Sequence, residues 1–294
     1  MFNSMEEIPH NPQLTGSASV LPEVTFALPG GKPLAMTILV PWAAAPAAGY
    51  PLLVFLQGSA WTDPNRNAEL PQLAQYAQQG MVVASITHRS VSDGFMPPAY
   101  LEDAKTAIRF LRHHAGDLNI DPHRVAFWGT SSGGNTAELI GLTGDDPQYK
   151  TNDFPEESDA VTCVVSCFGV ADLVALTGSA LKNAAGTAAF RRQHPKVAAF
   201  IQVEQGMAHA ETVMRAMSPK YQVAHRTTSV PMLLMHGTAD TVVPFAQSEQ
   251  FAAQLRETGI ANELVAVTGA DHESDFWSPA VHQRIRTFLK QQLG

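Results

Sequence analysis

The chain has 294 residues, 45% of them hydrophobic, which is enough to bury one large core. A formal net charge of -8 argues against nucleic acid and anionic membrane surfaces as partners, because a phosphate-binding face needs surplus Lys and Arg. No apolar run reaches the roughly 18 residues that a membrane span needs.

Residues 1–20 are polar, carry Glu6 and Glu7, and have neither a basic start nor an apolar stretch. No secretory leader is visible, so a cytoplasmic protein is expected. Residues 1–22 read as a loosely held arm ahead of one domain, 23–294. Segments 23–28 and 34–40, separated by Pro29, Gly30 and Gly31, predict a hairpin. After an Ala- and Pro-rich loop, residues 51–56 form a continuous apolar run, the mark of a strand buried on both faces. It ends in Gln57, Gly58, Ser59, Ala60 and Trp61. A helix over 70–79, a strand over 81–86 and a loop carrying Phe95 and Met96 follow. Residues 99–114 are helical, with Ala104, Ala107, Ile108 and Leu111 at helix spacing.

Asp121 and Pro122 close the turn before an aromatic-rich strand that stops at Gly129, and a helical pattern starts straight after Gly133 and Gly134. Patterns at 161–168, 230–235, 246–256, 263–267 and 279–293 then alternate between strand and helix. The alternation predicts an α/β fold, a mainly parallel central sheet flanked by helices. Cys163 and Cys167 share one predicted strand, which holds their Cα atoms about 13 Å apart. They cannot bridge there and read as small buried hydrophobes. Residues 172–218, with Phe190, Phe200, Met207, Met214 and Met217, break the rhythm. This insertion leaves the sheet at a carboxyl end, where open α/β folds bind ligands, and reads as a cap.

Gly129-x-Ser131-x-Gly133 between strand and helix is a nucleophile-elbow pattern, which lifts Ser131 Oγ into the open. It also leaves the Ser132 amide at a helix start, where unpaired N–H groups favour a negative oxygen. A serine hydroxyl needs a base, and the base needs a third group to fix its tautomer. Asp240 follows the strand ending at residue 235, and His272 follows the strand ending at 267. The order Ser131, Asp240, His272 is that of the α/β-hydrolase fold, each in a loop at one sheet edge. His236 precedes the acid by four residues in a tight turn, where a structural hydrogen bond is expected from it; Asp271 and Asp275 flank His272 too closely to orient its ring. The oxyanion donors expected are the Ser132 amide together with Ser59 and Ala60, in the loop where this fold carries an HGGG-type motif. Trp61, Phe95, Met96, Trp277 and the Met and Phe residues of the insertion are expected to line an apolar pocket.

The stretches 54–61, 100–112, 120–134 and 236–244, with Asp271, His272 and the Phe276-Trp277-Ser278-Pro279 run, resemble the α/β-hydrolase esterases of the bimodular feruloyl and acetyl-xylan esterase type. These are relatives of hormone-sensitive-lipase-like carboxylesterases, and the resemblance covers roughly residues 35–290 outside the insertion. It implies a small-molecule ester substrate, with a small or aromatic acyl group and sugars among the alcohols, cleaved through an acyl-enzyme without metal or organic cofactor. The 11 histidines form no ligand-spaced cluster. Two departures stand out: Gln57-Gly58-Ser59 where related enzymes carry His-Gly-Gly, which offers Ser59 Oγ as an extra donor, and Ser132 where Ala is common. An amide hydrolase, such as an arylformamidase or a small peptidase, would use the same triad, with Glu204 and Glu211 as acidic candidates for a free N-terminus. A hydrolase fold kept as a ligand receptor would have lost a triad member, and none is missing. The sequence leaves open whether the chain is a monomer or a homodimer.

Overall fold

A computed structural model describes residues 5–294; the first four residues of the expected arm lie outside it. Eight strands form one sheet in the order β1-β2-β4-β3-β5-β6-β7-β8: β1 Ala18–Ala27, β2 Leu34–Pro41, β3 Tyr50–Leu56, β4 Val82–Ile86, β5 Ile120–Thr130, β6 Cys163–Cys167, β7 Met232–Gly237 and β8 Asn262–Val267. Pairings β1 with β2 and β2 with β4 are antiparallel, and the five from β4 to β8 are parallel. The carboxyl ends of β3, β5, β6, β7 and β8 therefore share one edge. The arm is shorter than expected, because β1 begins at Ala18 and pairs it with Pro41. Most of β1 is exposed at the sheet's edge, so it lacks the apolar signature that marks the inner strands.

Helices α1 Leu70–Ala77, α2 Ala99–His113, α3 Ser132–Leu142, α9 Ala246–Glu257 and α10 Pro279–Leu293 cover the sheet. Every residue of β3 is buried, and successive side chains point to opposite faces. Leu52, Val54 and Leu56 join the cluster under α2, α3 and α9, while Leu53 and Phe55 join the one under α1 and α10. This is why the run must be apolar throughout. No helix among the described residues is long and apolar enough to cross a membrane.

The insertion is helical: α4 Leu173–Thr177, α5 Ala184–Gln193, α6 Pro195–Phe200 and α7 Met207–Ala216, with α8 Pro219–Gln222 leading back to β7. Its two ends are tied together. Ser218 Oγ accepts the Leu173 amide at 2.8 Å, and Lys220 Nζ pairs with Asp172 at 2.7 Å. Asn135 of α3 holds the same stem by donating to the carbonyls of Val170 and Met217 at 2.8 and 2.9 Å. Cys163 and Cys167 are buried, free thiols in β6, pushed up to about 12 by burial.

Candidate active site

The turn from β5 into α3 is tight because no side chain intervenes. A Cβ on Gly129 would lie 1.9 Å from the Gly133 carbonyl oxygen, and one on Gly133 would lie 2.2 Å from that of Leu56. Ser131 sits between them at φ 52° and ψ -117°, a conformation unfavourable for a residue with a Cβ. Two hydrogen bonds hold it there: the Ser131 amide donates to Cys167 at 3.0 Å, and Thr130 Oγ1 accepts from the Gly58 amide at 2.8 Å. The elbow is thus fastened to β6 on one side and to the loop leaving β3 on the other.

His272 Nε2 lies 3.0 Å from Ser131 Oγ, and its Nδ1 lies 2.7 Å from Asp240 Oδ2. Nδ1 faces a carboxylate and so carries the proton, which leaves Nε2 to accept from the serine hydroxyl. Phe168, itself at φ 43°, presents its ring to the imidazole with centroids 4.7 Å apart. The Asp240 side chain is fully buried and has four donors. Oδ1 accepts the amides of Val242 at 2.9 Å and Val243 at 2.7 Å, and Oδ2 faces His272 and, at 3.2 Å, His236 Nε2. Burial alone would raise this carboxyl; the bonds from His236, His272 and the Val243 amide outweigh it and hold the group well below the usual carboxylate range.

His236 does more than the structural hydrogen bond expected of it. Its Nε2 faces two acceptors, the Val243 carbonyl at 2.8 Å and Asp240, and so must bear a proton, while Nδ1 accepts from Ser248 Oγ at 2.7 Å. Asp271 does not orient the His272 ring. It clamps two loops instead: Oδ1 accepts the Thr241 amide at 2.8 Å, the Thr241 hydroxyl at 2.9 Å and the His272 amide at 2.7 Å. Asp275 in turn caps the Asp271 amide at 2.9 Å. The only sequence signal for these roles was closeness to Asp240 and His272 along the chain.

The loop after β3 differs from expectation in its donors. The Ser59 amide is already engaged, donating to Ser132 Oγ at 2.9 Å. Ser59 Oγ is engaged too, donating to the Thr62 carbonyl at 2.8 Å while Thr62 Oγ1 returns a bond of 2.6 Å to the Ser59 carbonyl, so it is not the extra donor. Ala60 and Trp61 follow at φ 51° and 58°. Among the described residues, the amides of Ala60 and Ser132 meet no protein acceptor.

The residues expected to form one pocket are dispersed. Trp61 is buried, with the Phe200 ring of α6 stacked on it at 4.0 Å and Tyr100 at its edge. Phe190, Phe200, Met214 and Met217 are likewise buried, as the insertion's own core, and only Met207 of that set is exposed. Phe95 lies half-buried between the cations of Lys32 and Arg89, and Met96 is half-buried beside it in sequence. Trp277 packs with the cluster under α10, flat against His282. For Trp61 the reason is the insertion: its helices need partners for their apolar faces, and Phe200 takes the nearest aromatic side chain. Glu204 and Glu211 are exposed and pair with Arg191 and Arg215 on the insertion, so neither is presented to a substrate amine. A cavity of about 860 Å³ opens instead at the amino ends of β3 and β5, beside Tyr50, Pro51, Arg124 and Lys290, remote in the sheet from the triad edge. His113, Glu156 and Glu157 converge at the surface, on α2 and the loop before β6, and share nothing with the loops that carry Ser131, Asp240 and His272.

The chain is similar to known proteins over most of its length. The BD-FAE family profile matches residues 36–255. The chain is 30% identical over 260 residues to the esterase LipC of Mycobacterium tuberculosis, covering 84% of the chain and 59% of that protein. It is 28% identical to the esterase LipQ of the same organism, covering 90% of the chain and 60% of that protein. The chain thus spans about three-fifths of the length of these relatives. Among solved structures, a thermophilic esterase from Thermogutta terrifontis superposes with a TM-score of 0.72 at 24% identity, covering 96% of this chain and 94% of that one, a likeness that bears on the fold alone. A bifunctional GH43-CE protein from Bacteroides eggerthii gives 0.76 at 27% identity, covering 94% of this chain and 38% of that one.

Proposed function

The chain belongs to the BD-FAE family of α/β hydrolases, and from that premise we propose that it cleaves carboxylic esters through an acyl-enzyme on Ser131. His272 Nε2 takes the hydroxyl proton as Ser131 Oγ attacks the ester carbonyl, and Asp240 stabilises the imidazolium. Collapse of the tetrahedral intermediate expels the alcohol, which takes the proton from His272. Water then repeats the cycle and releases the acid. The Ala60 and Ser132 amides receive the developing oxyanion. The insertion acts as a cap, a role supported by the seating of Phe200 on Trp61, directly after the oxyanion loop.

The observation that carries this reading is the unbroken hydrogen-bonded series from Ser131 Oγ through His272 to Asp240, at 3.0 and 2.7 Å. Esters with small or aromatic acyl groups are the proposed substrates, sugar esters among them; support comes from the family match and the esterase names of the relatives. A panel of acetyl, butyryl, longer acyl and feruloyl esters, set beside matched amides, tests it. Wild-type protein should turn over at least one ester faster than its amide, and Ser131→Ala should lose at least about 10⁴-fold in kcat. An amide preference, or full activity in the variant, would overturn the proposal.

A further inference from the structure

Resting on the acyl-transfer reading above, we propose that the Ser132 hydroxyl is itself an oxyanion donor, acting beside the amides of Ala60 and Ser132. The hydroxyl lies at the first residue of α3, 3% exposed, next in the chain to the nucleophile. Its oxygen accepts the Ser59 amide at 2.9 Å. A hydroxyl also has one proton to give, and among the described residues no acceptor receives it. The substrate's carbonyl oxygen, on becoming negative, supplies the missing acceptor.

The geometry also assigns a role to Ser59. Its N–H ends on Ser132 Oγ, so an oxyanion bonded to that hydroxyl lies about 2.7 Å further on and is reached through it. The amide polarises the hydroxyl, and a donor that is itself accepting a hydrogen bond is strengthened. The hole thus has two amides touching the charge, and one hydroxyl touching it with an amide behind. The competing arrangement has the oxyanion displace Ser132 Oγ and take the Ser59 amide directly, which makes the hydroxyl a plug. The two arrangements predict opposite effects of Ser132→Ala, a substitution that the site should accommodate because it removes a single oxygen and adds no bulk.

Kinetics of Ser132→Ala on an ester and on its thionoester decide the matter, because a C=S sulfur accepts hydrogen bonds poorly and exposes the loss of a donor that touches it. The donor role predicts kcat lower by on the order of 10²-fold with KM little changed, and an ester-to-thionoester ratio of kcat/KM that falls about tenfold. Unchanged or faster turnover would make the hydroxyl a plug or a spectator and overturn the proposal. So would slower turnover with an unaltered ratio, which would reduce the hydroxyl to an anchor for the Ser59 loop. A fluorophosphonate adduct on Ser131 in both proteins separates this outcome from a failure of the acyl-transfer reading, which would leave the wild type unlabelled as well.

Discussion

The two sides of the site are built on opposite rules. On the acid–base side every polar atom is occupied: Asp240 has four donors, His236 has partners at both nitrogens, and Asp271 joins the acid loop to the histidine loop through three bonds. On the oxyanion side two amides meet no protein acceptor and successive residues sit at positive φ. The difference is what the proposed mechanism asks of each side. A carboxylate that stabilises an imidazolium should not move or change its charge during turnover, and saturation achieves that. A hole for a transient negative oxygen must keep its donors free until that charge appears.

The largest effect should come from emptying the saturated side of its charge. Asp240→Asn keeps the shape but sets its amide group against His272 Nδ1 and favours the wrong tautomer, so kcat should fall about 10⁴-fold with KM little changed. Steady-state kinetics on the best ester check this; a loss under tenfold would remove Asp240 from the account.

A smaller effect should follow from His236→Phe, which takes away one of the four donors and leaves the Val243 carbonyl unpaired. The bond is made in the resting protein too, so its loss acts only by loosening Asp240, and kcat/KM should drop by no more than about tenfold. With one donor fewer, Asp240 attracts the imidazolium more strongly, and the acid limb of the pH–rate profile should move to higher pH. A purely structural His236 would lower the melting temperature and leave that limb in place.

A second buried carboxyl sharpens the contrast without touching turnover. Glu138 on α3 has one oxygen bonded to Ser166 Oγ at 2.7 Å and the other without a partner. Burial pushes it up to about 8 from an ordinary 4.5, with the Ser166 bond only partly opposing. Between those values the folded protein holds a proton that the unfolded chain releases, so stability falls as pH rises through that window. Glu138→Gln should remove this slope, and its melting temperature should gain on wild type steadily from pH 5 to pH 8. A constant difference would mean that Glu138 is ionised when buried.

Much of the geometry of the candidate site was legible because it depends on local signals. Gly129 and Gly133 mark a bend that only hydrogen side chains permit, and Asp240 and His272 each follow an apolar strand that must end at the same edge in a parallel sheet. The bonding of Ser59 was not legible, for a tertiary reason: which of its groups stays free depends on Thr62 folding back and on Ser132 arriving at the end of the neighbouring strand β5. His236 was seen as structural but not as a partner of the acid, since a four-residue spacing does not reveal how the turn closes. The pocket was the least legible part. Trp61 reads as a cleft aromatic until Phe200, nearly 140 residues later, covers it, and no local pattern encodes that stacking.

Mapping the site of covalent modification tests the central claim most directly. Treatment with a fluorophosphonate, followed by intact mass and peptide mapping, should give one adduct, on Ser131, at a rate that falls in Asp240→Asn. Absence of an adduct, or an adduct on Ser132 or elsewhere with Ser131 untouched, would contradict the assignment of Ser131, His272 and Asp240 as one working unit.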